Sequence, residues 1–154
     1  RIFACIGIAR TGEEPLKSLY IANILNWRPP GNRTPDAAEI EASLPFIERH
    51  IALVKPKILI FAGGVAAQSL LNRTEGISRL RGQWHEYRPR TPGIAGDGPP
   101  APVPALATYH PAYLLRTPSQ KRAVWQDMLT LRERLDSLIA GDSACAETSD
   151  SAPD

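Results

Sequence analysis

Three polar features interrupt apolar stretches of the chain: Asn23 inside residues 19–25 (LYIANIL), Gly63-Gly64 after residues 57–62 (KILIFA), and His110, which opens HPAYLLR after residues 104–109 (PALATY). An imidazole N–H can stabilise negative charge that develops during a reaction, and a side-chain amide presents a donor and an acceptor together. Residue type alone leaves structural readings open, since a histidine before a proline can cap a strand end and an amide can tie down a neighbouring loop. The glycine pair reads as a close helix–strand contact rather than a phosphate cradle, because no Lys-Ser/Thr follows it. His50 and His85 stand in no motif and read as surface or packing residues. Trp84 and Trp125 read as core anchors.

The elements that must position these residues follow an α/β order. Residues 2–9 read as the last turns of a helix. Residues 19–25 form a nearly continuous apolar run, the pattern of a strand buried on both faces. Consecutive prolines and Gly31-Asn32 make residues 27–33 a turn. Thr34-Pro35 resembles a helix N-cap followed by Pro at the first helical position, and Ile40, Leu44, Ile47, Ile51 and Val54 recur at helical spacing, with a kink expected at Pro45. Residues 57–62 are a second buried strand, residues 65–71 a short helix, and residues 104–109 a third strand. Val124, Met128, Leu131, Leu135 and Leu138 lie on one face of a helix over residues 118–138. Strand, helix, strand, helix predicts parallel pairing. Open sheets of this kind bind ligands beyond the carboxyl ends of their strands, where Asn23, Gly63-Gly64 and His110 all fall.

A length of 154 residues suits one domain over residues 1–140, and 43% hydrophobic residues is too many for a disordered chain. No apolar run approaches the length of a membrane span. Cys5 and Cys145 form neither a disulfide framework nor a CxxC pair, so a cytoplasmic setting is expected. The acidic, Ser/Ala-rich residues 141–154 read as a disordered tail. Fourteen of the 18 basic residues are Arg, which suits bidentate contacts to phosphate or carboxylate and makes nucleic acid a candidate partner. Residues 88–104, rich in Pro and Gly, form a long surface loop.

The blocks YIANILNWRPPGNRTP, LVKPKILIFAGGVAAQSLL, GISRLRGQW and TYHPAYLLRTPSQKRAVWQD resemble successive blocks of the family-4 uracil-DNA glycosylases, in the family's order and from about residue 4 to residue 138. The resemblance implies a three-layer αβα sandwich around a short parallel sheet. It also implies hydrolysis of the bond between uracil and deoxyribose in single- or double-stranded DNA, leaving an abasic site for base excision repair. His110 corresponds to the catalytic histidine and Asn23 to the asparagine that reads the uracil edge, pairing with N3 and O4. Leu114, four residues after the histidine, resembles the apolar wedge that enters the base stack. Arg28, Asn32, Arg33, Arg81, Arg116 and Lys121 are candidate DNA contacts, with Arg79 and Arg122 beside them.

Two departures accompany the agreement. Most family members hold an iron-sulfur cluster on Cys thiolates, two of which fall at Trp27 and Ser43, so no cluster and no other cofactor or metal is expected, with Trp27 packed into the vacated region. The family's GEAPG-type first motif, which carries the residue that positions water, is missing and would lie before Arg1, so the sequence reads as N-terminally incomplete. A monofunctional, monomeric glycosylase of the bacterial cytoplasm and nucleoid is the leading expectation. A non-catalytic or degenerate DNA-binding member is the alternative, and an unrelated nucleotide-binding domain a weaker one, lacking GxGxxG and P-loop motifs.

Overall fold

The computed structural model describes residues 2–9, 18–94 and 101–148. The chain divides into two compact units, Ile21–Lys121 and a second made of Arg1–Tyr20 with Arg122–Asp154.

In the first unit, α1 spans Ala37–Val54. Its N-cap is Asp36, two residues beyond the expected Thr34, because Asp36 and Glu39 form a capping box. The Asp36 carboxylate accepts the Glu39 N–H at 2.8 Å, and the Glu39 carboxylate accepts the Asp36 N–H at 3.0 Å. Leu44 and Ile47 are buried and Ile51 packs beside them, whereas Val54 is exposed. The helix runs through Pro45 without interruption. The ring removes a donor to the carbonyl of Glu41, an exposed residue.

The sheet contains β1 (Leu59–Ala62), β2 (Trp84–Tyr87) and β3 (Val103–Thr108) in the order β1-β3-β2. β1 and β3 are parallel, but β2 runs antiparallel to β3, so the sheet is mixed rather than all parallel. β2 is an edge strand of four residues with no clean alternation, too short for its pattern to be legible alone. The expected strand over residues 19–25 does not form. Ser18 makes an isolated bridge to Ala9, and the segment beyond it is irregular, with Tyr20 and Ile21 exposed. Only Ile24 and Leu25 turn inward.

β3 is the buried centre: Ala105, Leu106 and Ala107 have no solvent exposure and Thr108 only 4%. Ala105 and Ala107 share the core with Phe61, Tyr87, Leu44, Ile47 and Leu80, and with Ala67 and Leu70 of α2 (Gly64–Leu71). Small side chains on strand and helix allow the two backbones to approach closely. α3 is the single turn Ile77–Leu80. Glu48, fully buried, accepts the backbone N–H groups of Arg90 and Thr91 at 2.8 and 2.9 Å, which fastens the loop after β2 onto α1. Burial, followed by the charge on Glu48, pushes the Tyr87 phenol well above its ordinary range. The remainder of the expected proline-rich loop, residues 95–100, lies outside the described residues.

The sheet is followed by α4 (Pro111–Arg116) and α5 (Lys121–Thr148). On α5, Val124, Met128, Leu131 and Leu135 are buried at helical spacing, as the periodicity requires. Trp125, expected as a core anchor, is 47% exposed. The helix continues past Gly141 into the expected tail, of which residues 149–154 lie outside the described residues. In the second unit, residues Phe3–Ile6 form a 3-10 turn closed by Gly7 in the left-handed region, and Arg132 of α5 donates to the Ile6 carbonyl at 2.9 Å.

Candidate active site

Because β1 and β3 are parallel and in register, with Ala62 opposite Thr108, both chains leave the sheet at the same edge. The Gly63 N–H donates to the Thr108 carbonyl at 2.8 Å, extending the ladder by one bond. On the other side of β3, Arg81 bridges to Ala107 and the Gly82 N–H donates to the Ala107 carbonyl at 3.1 Å. Three turns therefore converge where β3 ends, and His110 stands two residues beyond that end.

His110 is the N-cap of α4, with extended backbone before Pro111 at the first helical position. Its Nδ1 accepts the Ala112 N–H at 3.1 Å. A backbone N–H can only donate, so Nδ1 must carry a lone pair, and a neutral ring in this setting holds its hydrogen on Nε2. The side chain is exposed, which leaves Nε2–H available to a ligand. A donor of that kind suits an oxygen that gains negative charge during bond cleavage. The ring lies against Gly63, whose Cα is close enough that an added Cβ would come within 3.1 Å of His110 Cβ. Beside it, the Arg81 guanidinium sits over the Tyr109 ring at 5.4 Å, and Tyr109 packs on Tyr113 with ring centroids 4.9 Å apart. Tyr113 thus has an intramolecular partner.

Asn23 belongs to the same unit as His110 and is exposed, immediately before the inward-turned Ile24 and Leu25. That anchor is reinforced by Ser43 of α1, 1% exposed, whose hydroxyl donates to the Ile24 carbonyl at 2.7 Å. After Asn23 the chain makes the turn Pro30–Asn32, with Gly31 and Asn32 both at positive φ. Arg33 then donates to both Glu39 carboxylate oxygens at 2.8 and 2.7 Å. The Arg33 hydrogen bonds, followed by the one from the Asp36 backbone, hold the Glu39 carboxyl below its usual range.

The family model of the Uracil DNA glycosylase superfamily matches residues 1–129. The chain belongs to this superfamily. It is 33% identical to the type-4 uracil-DNA glycosylase of Pyrobaculum aerophilum over 71% of this chain and 54% of the relative. It is 27% identical to that of Sulfurisphaera tokodaii over 75% and 50%, and 29% identical to that of Archaeoglobus fulgidus over 86% and 61%. The chain spans about half the length of the curated relatives it matches.

Within the superfamily frame, His110, Gly63, Arg81 and Tyr109 are brought together at one sheet edge, whereas Leu114 is not at the surface. It is 5% exposed, while its neighbour Leu115 is 82% exposed. Of the two leucines, Leu115 is the one that stands at the surface. Helix α4 has too few turns for periodicity to separate its inner leucine from its outer one. Arg28, Asn32, Arg116 and Lys121 are exposed, as a DNA-facing role requires, and Arg81 is half-buried. Arg33 is committed to Glu39 and shapes the turn. His85 is structural, its Nε2 hydrogen-bonded to the Leu80 carbonyl at 2.9 Å. At the two positions that the resemblance gives to cluster ligands, the side chains do not suit iron. Trp27 offers an indole and is 44% exposed rather than packed inward, and the Ser43 hydroxyl is engaged with Ile24. Among the described residues no three His, Cys, Asp or Glu side chains gather into a possible metal site, and no helix is long and apolar enough to cross a membrane.

Proposed function

We propose that this chain belongs to a monofunctional uracil-DNA glycosylase, which hydrolyses the bond between uracil N1 and deoxyribose C1′ and leaves an abasic site, and that it carries the groups that read the base and stabilise its departure. The observation that carries the reading is His110, which caps α4 through Nδ1 and so keeps Nε2–H free at the carboxyl end of the central strand. As the C1′–N1 bond breaks, its electron pair passes to the base, and Nε2–H donates to uracil O2, where the negative charge accumulates. Water bonds to C1′ and gives up a proton to solvent, and the released uracil anion takes up a proton in turn, so the products are the abasic sugar and neutral uracil. Donors already in place act without reorganising during the reaction.

Asn23 reads the base edge. Its amide oxygen accepts from uracil N3–H and its amide NH₂ donates to O4, whereas cytosine presents the inverse pattern and would leave groups unpaired at about 1–3 kcal/mol each. The target base enters from a single strand or after flipping from a duplex, with Leu115 filling the vacated stack. Arg28, Asn32, Arg116 and Lys121 contact the phosphate backbone, and Arg81, oriented by Tyr109, joins them. The reaction runs without an iron-sulfur cluster, a reading supported by Trp27 and Ser43 standing where thiolates would be needed. A monomer acting on genomic DNA in the cytoplasm fits this role.

The test is release of free base from single-stranded oligonucleotides carrying one uracil, thymine or cytosine, by the full-length protein with EDTA present. Uracil alone should be released, and Asn23→Asp should lower that release about 10- to 100-fold, as lost or unpaired bonds of 1.4–2.8 kcal/mol imply. No release of uracil, or equal release from all three strands, contradicts the reading.

A further inference from the structure

We propose that Gly63 is the positioning residue for His110: its bare Cα forms the wall that sets the direction of the imidazole. The inference rests on the reading of His110 as the donor to the leaving base and extends it to a residue that touches no substrate.

An exposed histidine is not oriented by burial, so something else must hold it. One restraint is the Nδ1 bond from Ala112. The second is Gly63. A Cβ added there would have Cβ, Cγ and Cδ2 of His110 as its three nearest heavy atoms, at 3.1, 3.8 and 3.8 Å. Cδ2 is the ring atom bonded to Nε2, so this wall lies next to the N–H that meets the base.

The wall cannot easily retreat. The Gly63 N–H is bonded to the Thr108 carbonyl at 2.8 Å, and its carbonyl accepts the Ala67 N–H at 3.2 Å, tying it to β3 on one side and α2 on the other. Nor can His110 yield, because the nearest atom is its own Cβ, fixed to a backbone that caps α4. Gly63 also has φ +102°, which side-chain-bearing residues rarely adopt. A methyl group here therefore pushes on the histidine from an anchored position. Gly64 has no such relation, since its added Cβ would meet only Gln68 Oε1 at 3.7 Å and Ile77 Cβ at 3.8 Å.

The experiment compares wild type, Gly63→Ala, Gly64→Ala and His110→Ala in the full-length protein, measuring kcat and KM for uracil release from a single-stranded oligonucleotide. Ring ¹⁵N shifts of His110 are recorded alongside. Gly63→Ala should lower kcat about 100-fold, the scale of a displacement near 1 Å, with KM within about threefold and with His110 ring shifts moved. Gly64→Ala should stay within about threefold of wild type in both constants. Retained kcat in Gly63→Ala while His110→Ala is inactive overturns the positioning role and leaves the glycosylase reading intact. Retained activity in His110→Ala overturns both. Where Gly63→Ala folds poorly, Gly63→Ala in a His110→Gly background removes the opposing Cβ and ring. Its melting midpoint should recover at least part of the loss relative to His110→Gly alone, and no recovery overturns the proposed contact.

Discussion

Leu114→Ala and Leu115→Ala change adjacent residues by the same atoms and should have opposite consequences. Leu114 is 5% exposed, so truncation removes buried methyl groups and leaves a cavity, costing about 2–5 kcal/mol. For a chain of this size that lowers the melting midpoint by about 5–15 °C. Leu115, 82% exposed, loses almost no protein contact, and its truncation should change stability by no more than about 0.5 kcal/mol. Its effect appears on DNA. Opening one base step costs a few kcal/mol, and an apolar wedge offsets part of that cost. Losing about 1.4–2.8 kcal/mol of compensation slows uracil release from a duplex about 10- to 100-fold. A single strand has no stack to refill, so release from it should change less than about threefold. The assay is uracil release from matched single- and double-stranded oligonucleotides, with a thermal melt of each variant. Equal losses on both substrates for Leu115→Ala, or an unchanged melt for Leu114→Ala, refute the assignment of inner and outer leucines.

Three further outcomes follow from the same geometry. Ser43→Ala removes the 2.7 Å bond that holds the segment bearing Asn23 and leaves the Ile24 carbonyl unpaired, so stability should fall by about 1–3 kcal/mol, checked by denaturant titration. Glu39 has its folded pKa lowered by Arg33, so the stability it contributes is present above its unfolded pKa and lost as pH falls through the folded value. Glu39→Gln should therefore flatten the acid limb of a melting-temperature profile below about pH 4.5, and an unchanged limb contradicts the pairing. Arg116→Ala and Lys121→Ala should each reduce the slope of log affinity against log salt by about 0.7–0.9 on single- or double-stranded DNA, without changing the preference for uracil.

The sequence was most readable where one pattern had one structural solution. Residues 57–62 and 104–109 are short apolar runs ending in turn residues, and both give strands that are shifted by only one or two residues. The buried stripe on α5 follows its periodicity closely. Residues 19–25 carry the same apolar signature, yet only Ile24 and Leu25 are drawn inward, because a continuous run cannot say whether a partner strand is present. His110 and Asn23 stand out as candidates from type and context. The support beneath them does not. Ser43 reads as an ordinary polar residue in a helix, and its value lies in a carbonyl nineteen residues away in the chain. Glu48 reads as one more helical acid, although it is fully buried beneath two backbone N–H groups. Gly63 was visible as a close-contact glycine, but the contact is with the histidine as well as between helix and strand. Such roles depend on which turns meet at the sheet edge, and local patterns do not encode that meeting.

The role proposed for the His110 imidazole is to stabilise the departing uracil. The most direct measurement is single-turnover release of uracil from a labelled single-stranded oligonucleotide by wild type and His110→Ala, with DNA affinity measured in parallel. His110→Ala should lose at least about 100-fold in rate, as for removal of one preorganised donor to a developing anion, with affinity for the uracil strand nearly unchanged. A His110→Ala variant that releases uracil at the wild-type rate would contradict it.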